Sequence, residues 1–271
     1  MVKKLLKQEF KYYIHTLIFI LPIVLFLGIS TYILHFFETD SIIYELLFIL
    51  SMILFSISSF VALLAVEILM VVRFYKNMYT SEGYLTFTLP VNSHQHVFAK
   101  LIGHIICLII TSLVVIVSWL IVVNGITDLS EEFKFIGSLI TTAFTGENAV
   151  HAIFITLELI ILFVIATFAS PLTYYSCISI GQLAKKNRII LAIVTYYLYT
   201  VISQVLLTVI TMILSILGSA GLFSNIPQYI IENPFATIHI VIIAIILITI
   251  GISALFYFIT IRIMNKKLNL E

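Results

Sequence analysis

Residues 101–123 read LIGHIICLIITSLVVIVSWLIVV, a run without a single Asp, Glu, Lys or Arg. A helix needs about 20 apolar residues to cross the hydrocarbon core of a bilayer, so this stretch predicts a transmembrane helix. The whole chain has the same character: 62% of its 271 residues are hydrophobic, 10% are charged, and the mean hydropathy is +1.19. Soluble domains are about 45–50% apolar and about 25% charged. The composition therefore predicts an integral membrane protein.

Five further segments are long and apolar enough to cross a membrane, which predicts an all-α fold with six transmembrane helices in one domain, residues 1–271. The predicted helices cover residues 14–36, 42–72, 101–123, 150–180, 189–217 and 237–261. The second is longer than one crossing requires and is expected to project into water. Residues 73–100 are then a connecting segment on one side, and residues 124–149 and 218–236 are loops on the other. Within the first of these loops, the spacing of Asp128 and Glu131 predicts the start of a short interfacial helix.

The distribution of lysine and arginine predicts the orientation. With six crossings, nearly all of these residues fall on one side, at the two termini, in the segment 73–100 and in the turn at 185–188. Only Lys134 falls on the other side, where most of the acidic residues lie. Because cytoplasmic loops carry the excess of Lys and Arg, both termini and the segment 73–100 are predicted to be cytoplasmic, and the loops 124–149 and 218–236 extracellular.

The first thirteen residues are predicted to form a separate basic amphipathic helix. Leu5, Leu6 and Phe10 lie among four lysines in this segment, a pattern typical of a helix that lies along the inner membrane face. The alternative is a charge cluster that serves only to set the orientation.

Two acidic residues lie well inside the predicted transmembrane helices, away from their ends. An acidic residue at a helix centre costs about 2.5–3.5 kcal/mol on the insertion scale, so each is expected to have a partner or a polar surrounding. Glu67 lies six residues before Arg73 and near the inner interface, which favours a structural role. Glu158 lies about two turns into the fourth helix, and either a polar translocation path or a bond to a neighbouring helix would accommodate it.

Patterns typical of catalysis are absent from the sequence. No G-x-x-x-x-G-K-[ST] loop for ATP and no H-E-x-x-H motif occurs, no catalytic triad is evident, and the chain is not expected to be an enzyme. His94 and His96 have no third ligand nearby in sequence, so they are predicted to be solvated rather than to bind a metal. Cys107 and Cys177 lie in apolar runs and are expected to be inert. The sequence lacks a basic cluster interleaved with aromatic residues, so it gives no indication of nucleic-acid binding.

The segment between the second and third predicted helices carries a resemblance. Residues 82–91 read EGYLTFTLPV, and residues 99–103, AKLIG, open the next helix after a polar stretch. This arrangement resembles the cytoplasmic loop of permease subunits of ATP-binding-cassette (ABC) transporters, and more narrowly the type-2 export permeases of low-GC Gram-positive bacteria. The six helices, the basic start and the long second helix agree with the resemblance over the whole chain.

The resemblance implies a subunit of an exporter in the cell membrane. Two permease chains, identical or homologous, would assemble with two cytoplasmic ATPase subunits, and ATP and magnesium would be bound by those ATPase subunits and not by this chain. Some members of this family export amphipathic peptides such as phenol-soluble modulins, and others handle drugs or bacteriocins or confer self-immunity. The docking residues it implies are Glu82, Gly83, Tyr84, Leu85, Phe87, Thr88, Leu89 and Pro90. A sensor or immunity protein on the same scaffold, and a secondary transporter, remain as alternatives.

Side-chain chemistry divides the docking segment into two faces. A short helix would place Leu85 and Leu89 on one face, against the protein's own helices, and Tyr84, Phe87 and Thr88 on the other, towards a partner. Gly83 would permit a turn, and Asn92 or Ser93 would cap the helix that follows Pro90.

The candidate translocation path combines Glu158 with aromatic residues of the fifth predicted helix. The residues assigned to it are Glu158, Tyr196, Tyr197 and Tyr199. Tyrosine also serves as a plain anchor at membrane interfaces, and this simpler interpretation stands beside the first.

Overall fold

The computed structural model describes residues 2–37, 39–88, 90–126, 129–146, 148–219 and 234–266. It is 92% helical, and no strand occurs within these ranges. The helices are α1 (Val2–His35), α2 (Ile42–Tyr79), α3 (Ser81–Phe87), α4 (Ser93–Ile126), α5 (Leu129–Thr145), α6 (Ala149–Gly181), α7 (Arg188–Ser219) and α8 (Pro234–Lys266). Six of them, all except α3 and α5, are long and apolar enough to span a membrane. The prediction of an all-helical, multi-pass membrane protein is confirmed at this level.

The first predicted boundary is wrong. Residues 2–13 do not form a separate helix, because α1 continues without interruption from Val2 to His35. No glycine or proline occurs before Pro22, so nothing in the local sequence breaks the helix. Along this part Glu9 and Tyr13 are buried, which the charge pattern alone does not indicate.

The start of the third predicted helix is also displaced. α4 begins at Ser93, eight residues before the apolar run, and Asn92 directly precedes it. The carbonyl of Asn92 accepts hydrogen bonds from the amides of Gln95 and His96. Gln95 in turn accepts one from the Asn92 amide through its side chain, at 3.4 Å, which is one half of a capping box. Asn92, one of the two predicted cap positions, therefore binds the first turn of the helix through its backbone groups.

The chain divides into two compact units. The first contains residues 1–78 and 82–142, and the second contains residues 79–81 and 143–271. In the first unit α1, α2 and α4 share a core, in which Tyr13 and Leu17 of α1 meet Val66 of α2 and Cys107 of α4. Gly103 lets α1 and α4 approach closely, because a Cβ at this position would lie 2.7 Å from a ring carbon of Tyr13.

A second cluster continues this core towards the other end of the same unit. Phe55 of α2 is completely buried beside Val24 and Val115, and its ring lies 4.9 Å from that of Trp119. A helix occurs in the loop after α4, as predicted, and is α5. Its predicted start at Asp128 lies outside the described residues.

The second unit contains α6, α7 and α8. α6 and α7 form a hairpin whose turn ends at Asn187, which has a φ of 57°, a conformation that asparagine tolerates better than most residues. The Asn187 carbonyl accepts the first hydrogen bond of α7, from Leu191. Tyr79 belongs to this unit by its contacts, and its hydroxyl lies 2.7 Å from that of Ser179. Most of the predicted loop 218–236, including Pro227, lies outside the described residues.

Candidate functional site

The segment predicted to dock on an ATPase forms the short helix α3. A single residue, Thr80, separates it from α2, and five residues separate it from α4. Gly83 is buried inside this helix instead of forming the predicted turn, because the chain remains helical from Ser81 to Phe87. Pro90 lies in the connection to α4, and Leu89 lies outside the described residues.

The exposed face of α3 differs from the predicted one. Tyr84 is 59% exposed and Leu85 is 75% exposed, so Leu85 is not packed into the core of the protein's own helices. Phe87 is only partly exposed, and its ring lies 6.1 Å from the ring of His96 in an edge-to-face arrangement. In so short a helix, consecutive residues 84 and 85 share the outer surface while residue 87 turns inward. The division into a tyrosine–phenylalanine face and a leucine face is therefore wrong.

Glu82 is held by the protein itself. Its carboxylate accepts a hydrogen bond from the side-chain amide of Asn77, at 2.9 Å. Its backbone carbonyl accepts another from the hydroxyl of Thr86, at 3.0 Å. The first contact fixes the start of α3 relative to the end of α2, and the second lies within α3.

A buried ion cluster lies beside α3 and consists of Glu9, Arg73, Asn77 and Lys100. One carboxylate oxygen of Glu9 accepts a hydrogen bond from Lys100 at 2.7 Å, and the other accepts one from Nε of Arg73 at 3.2 Å. Lys100 also donates to Asn77 at 3.1 Å. The guanidinium of Arg73 covers the ring of Tyr12 at 3.8 Å. These contacts connect α1, α2 and α4 at the same end of the first unit.

The sequence analysis did not find this cluster. Lys100 and Arg73 lie 91 and 64 residues from Glu9 along the chain, and each appeared only as part of a charge pattern. The one available indication was Glu9, the single acidic residue among the lysines of the first thirteen residues.

Glu67 has a partner on the neighbouring helix. Nε2 of His104 in α4 lies 3.0 Å from a carboxylate oxygen of Glu67 in α2. The His104 side chain is fully buried and that of Glu67 is 25% exposed. This contact supports the structural role predicted for Glu67, although the partner itself was not foreseen.

Glu158 lies in a chain of three titratable side chains in the second unit. Nδ1 of His239 in α8 lies 2.8 Å from Oε1 of Glu158, and Nδ1 of His151 lies 3.4 Å from Nε2 of His239. With Glu158 ionised, His239 donates to it and can accept from His151. The ring of His151 also stacks on Phe235, with centroids 4.7 Å apart. The second carboxylate oxygen of Glu158 is buried and makes no hydrogen bond within the part of the chain that the structure describes.

Comparison with protein-family models, curated proteins and solved structures gives no match to this chain. Its function therefore has to be argued from its residues and their geometry.

The structure does not bring the predicted path residues together. Tyr196 lies beside Tyr174 of α6, with ring centroids 5.3 Å apart. Sixteen residues separate Tyr174 from Glu158, which is about 24 Å along a helix. Tyr199 packs edge-on against Phe256 of α8 at 5.0 Å, and Tyr197 is 66% exposed. Glu158 and the three tyrosines thus lie at different depths of the second unit.

The two neighbouring histidines have different surroundings. His94 is exposed, as predicted, but His96 is only 3% exposed. Its Nε2 is buried and makes no hydrogen bond to any described residue. Among the described residues no group of three His, Cys, Asp or Glu side chains could hold a metal ion.

Proposed function

We propose that this chain is the membrane-spanning permease subunit of an ATP-driven exporter in the cell membrane. The observation that carries the proposal is α3, a seven-residue helix with a buried glycine and with Tyr84 and Leu85 exposed. Exposed aromatic and aliphatic side chains in a short, fixed element are typical of a surface that binds a partner.

The connections of α3 suit a mechanical role. It follows the 38-residue helix α2 after one residue and precedes the 34-residue helix α4 by five. Asn77 of α2 also binds Glu82 of α3 directly. A partner that moved α3 would therefore move the ends of two long apolar helices. This is the coupling that an exporter requires when ATP is hydrolysed on another subunit.

The partner would supply the nucleotide chemistry. Because the sequence contains no Walker loop, ATP and magnesium would be bound by a cytoplasmic ATPase. The resemblance of residues 82–91 to ABC export permeases implies two such ATPases and a second permease chain, identical or homologous. Amphipathic peptides or other hydrophobic compounds are the proposed substrates. The orientation with α3 in the cytoplasm rests on the lysine and arginine distribution.

Proton-coupled secondary transport is the second candidate, and one observation favours it. Glu158, His239 and His151 form a continuous series of titratable groups from α6 to α8, and such series occur along proton pathways of transporters. A carrier of this kind would work without an ATPase. A membrane-embedded immunity or sensor protein would share the scaffold of an exporter without moving a substrate.

Site-specific photocrosslinking in intact cells tests the proposal. A photoreactive phenylalanine analogue at position 84 or 85 is expected to crosslink to a cytoplasmic protein that hydrolyses ATP. The same analogue at position 133 is the matched control, because Phe133 in α5 is 57% exposed and belongs to the same unit. The proposal is contradicted if positions 84 and 85 give no ATPase adduct, or if position 133 gives an adduct in equal yield.

A further inference from the structure

A cavity of about 230 Å³ lies in the first unit, next to the ion cluster and α3. Its wall includes residues from four helices: Glu9 of α1, Arg73 and Asn77 of α2, Leu85 of α3, and His96 and Lys100 of α4. The volume is large enough for a small polar group, and the wall carries charged side chains as well as apolar ones.

Cations exceed carboxylates in this wall. Arg73 and Lys100 are the cationic residues of the wall, and Glu9 is the one acidic residue among the described residues that line it. The Lys100 and Glu9 side chains are only 4% and 11% exposed. A further carboxylate, Glu82, attracts Lys100 electrostatically from outside the wall. It is exposed and accepts its hydrogen bond from Asn77. A buried excess of positive charge is costly unless an anion compensates it.

Hydrogen-bond donors in the wall are also incompletely used. The His96 side chain is buried, with only 3% of the residue exposed. Its Nε2 has no hydrogen-bond partner among the described residues. Arg73 donates to Glu9 through Nε, while its two terminal nitrogens make no hydrogen bond to the residues that the structure describes. A guanidinium presents these nitrogens as a planar fork that matches the oxygens of phosphate and carboxylate.

Arg73, Lys100 and His96 all line this cavity, and Nε2 of His96 has no partner among the described residues. From these observations we infer that the cavity binds a phosphate group. The terminal nitrogens of Arg73 would hold two phosphate oxygens, and Nε2–H of His96 would donate to a third. The phosphate could belong to an anionic lipid headgroup or to a small soluble phosphate, and the chemistry of recognition is the same for both.

The basic surroundings suit such a ligand. Residues 1–13 and 73–100 together carry seven Lys and Arg residues but only Glu9 and Glu82 as acids. Basic segments of this kind concentrate anionic lipid headgroups and phosphates near the membrane surface. Because the His96 ring contacts Phe87 of α3, occupancy of the cavity is also expected to restrain α3.

The test uses the purified full-length chain in nanodiscs, with histidine labelled by ¹⁵N. In nanodiscs of phosphatidylcholine alone, glycerol 1-phosphate is titrated in; in a second series, the bilayer contains an increasing fraction of phosphatidylglycerol. If the cavity binds phosphate, the ¹⁵N signal of the His96 ring is expected to shift in at least one of the two titrations. A shift only with phosphatidylglycerol identifies a lipid headgroup as the ligand, and a shift with glycerol phosphate identifies a soluble phosphate.

Two variants separate the cavity from surface charge. His96→Phe keeps a ring of similar size but removes the donor, and it is expected to weaken phosphate binding about ten- to hundredfold, the effect of losing a hydrogen bond to a charged group. His94→Phe is the matched control, since His94 is exposed two residues away and does not line the cavity. Binding is measured by the change in melting temperature with ligand concentration.

The outcomes are distinguishable from those of the proposed function, because no ATPase and no transport is involved. If the His96 signal of the wild type responds to neither ligand, the inference is overturned, whatever the variants do. It is equally overturned if His96→Phe folds and binds phosphate as tightly as His94→Phe. Should His96→Phe fail to fold, the wild-type histidine spectrum alone decides.

Discussion

The ammonium nitrogen of Lys100 lies 2.7 Å from a carboxylate oxygen of Glu9, and ninety-one residues separate the two in sequence. The contact joins the first turns of α1 to the start of α4 beside α3. It accounts for the burial of the charged residue Lys100 directly ahead of the apolar run of α4. It also explains why α1 starts well before its own apolar run, because Glu9 is buried through its contacts with Lys100 and Arg73.

The first prediction concerns this cluster. Glu9→Gln leaves Lys100 and Arg73 without their shared carboxylate, and breaking a buried ion pair in this way costs about 3–5 kcal/mol. The expected result is a clearly lower melting temperature in detergent. Lys100→Met should cost less, because Glu9 keeps Arg73. The double variant should lose less stability than the sum of the single variants, since the sites share partners. Equal melting temperatures for Glu9→Gln and the wild type would show that the cluster does not contribute to stability.

The second prediction concerns orientation. In a background without Cys107 and Cys177, Lys186→Cys should be protected from a membrane-impermeant maleimide in intact cells, and Glu131→Cys should be labelled. Both positions are exposed, so both should react after the cells are permeabilised. Lys186 is preferable to Asn187, where a φ of 57° would strain a cysteine. Labelling of position 186 in intact cells would show that the orientation inferred from lysine and arginine is wrong.

The transmembrane helices were predictable because hydrophobic length is a local property. Predicted and observed bounds for the fourth long apolar helix, 150–180 and Ala149–Gly181, nearly coincide. The ends of α1 and α4 were not predictable in the same way. Their first turns are polar and are stabilised by backbone hydrogen bonds to Asn92 and by contacts between residues 9, 73 and 100. Hydropathy does not register contacts over such separations.

The candidate sites were predictable only in part. A short helix in the docking segment was expected, but its outer face was misassigned, because the partial burial of Phe87 depends on His96 of another helix. The sequence shows that Glu158 needs a partner but does not identify His239, which lies 81 residues away. A histidine in an apolar helix, such as His104 or His239, is the one local sign that such a pair exists.

The third prediction separates a structural Glu158 from a functional one. His239→Leu removes the hydrogen bond to Glu158, and because the other carboxylate oxygen is buried without a partner, the expected cost is about 1–3 kcal/mol. Replacing both residues, with Glu158→Met and His239→Leu, should restore much of the stability, since no unpaired polar group remains. His151→Leu is the control, because His151 is exposed and contacts Glu158 only through His239.

The double variant then decides the role of the pair. If Glu158 lines a translocation path, the double variant should be stable but inactive in transport. If the pair only connects α6 to α8, the double variant should transport normally. Melting temperature and transport are measured on the same reconstituted preparations, so that a loss of activity through unfolding is recognised as such.

The fourth prediction concerns the outer face of α3. Tyr84→Ala and Leu85→Ala should each weaken binding of the ATPase by at least about 2 kcal/mol, or roughly thirtyfold, if these side chains are the anchors of the interface. Both are well exposed in the isolated chain, so neither change should lower its melting temperature appreciably. Phe87→Ala should behave differently. It removes the ring that packs on His96, and its main effect should be on the stability of the region around α3.

The measurement compares ATPase affinity and substrate-stimulated ATP hydrolysis in the reconstituted complex. Phe133→Ala, an exposed aromatic position in α5, is the matched control and should leave both quantities unchanged. Glu82→Gln is expected to alter mainly the salt dependence of association, because an exposed charge at the rim of an interface affects encounter more than affinity. If the Tyr84 and Leu85 variants bind the ATPase and couple hydrolysis as the wild type does, α3 is a connection between helices only, and the exporter assignment loses the observation on which it rests.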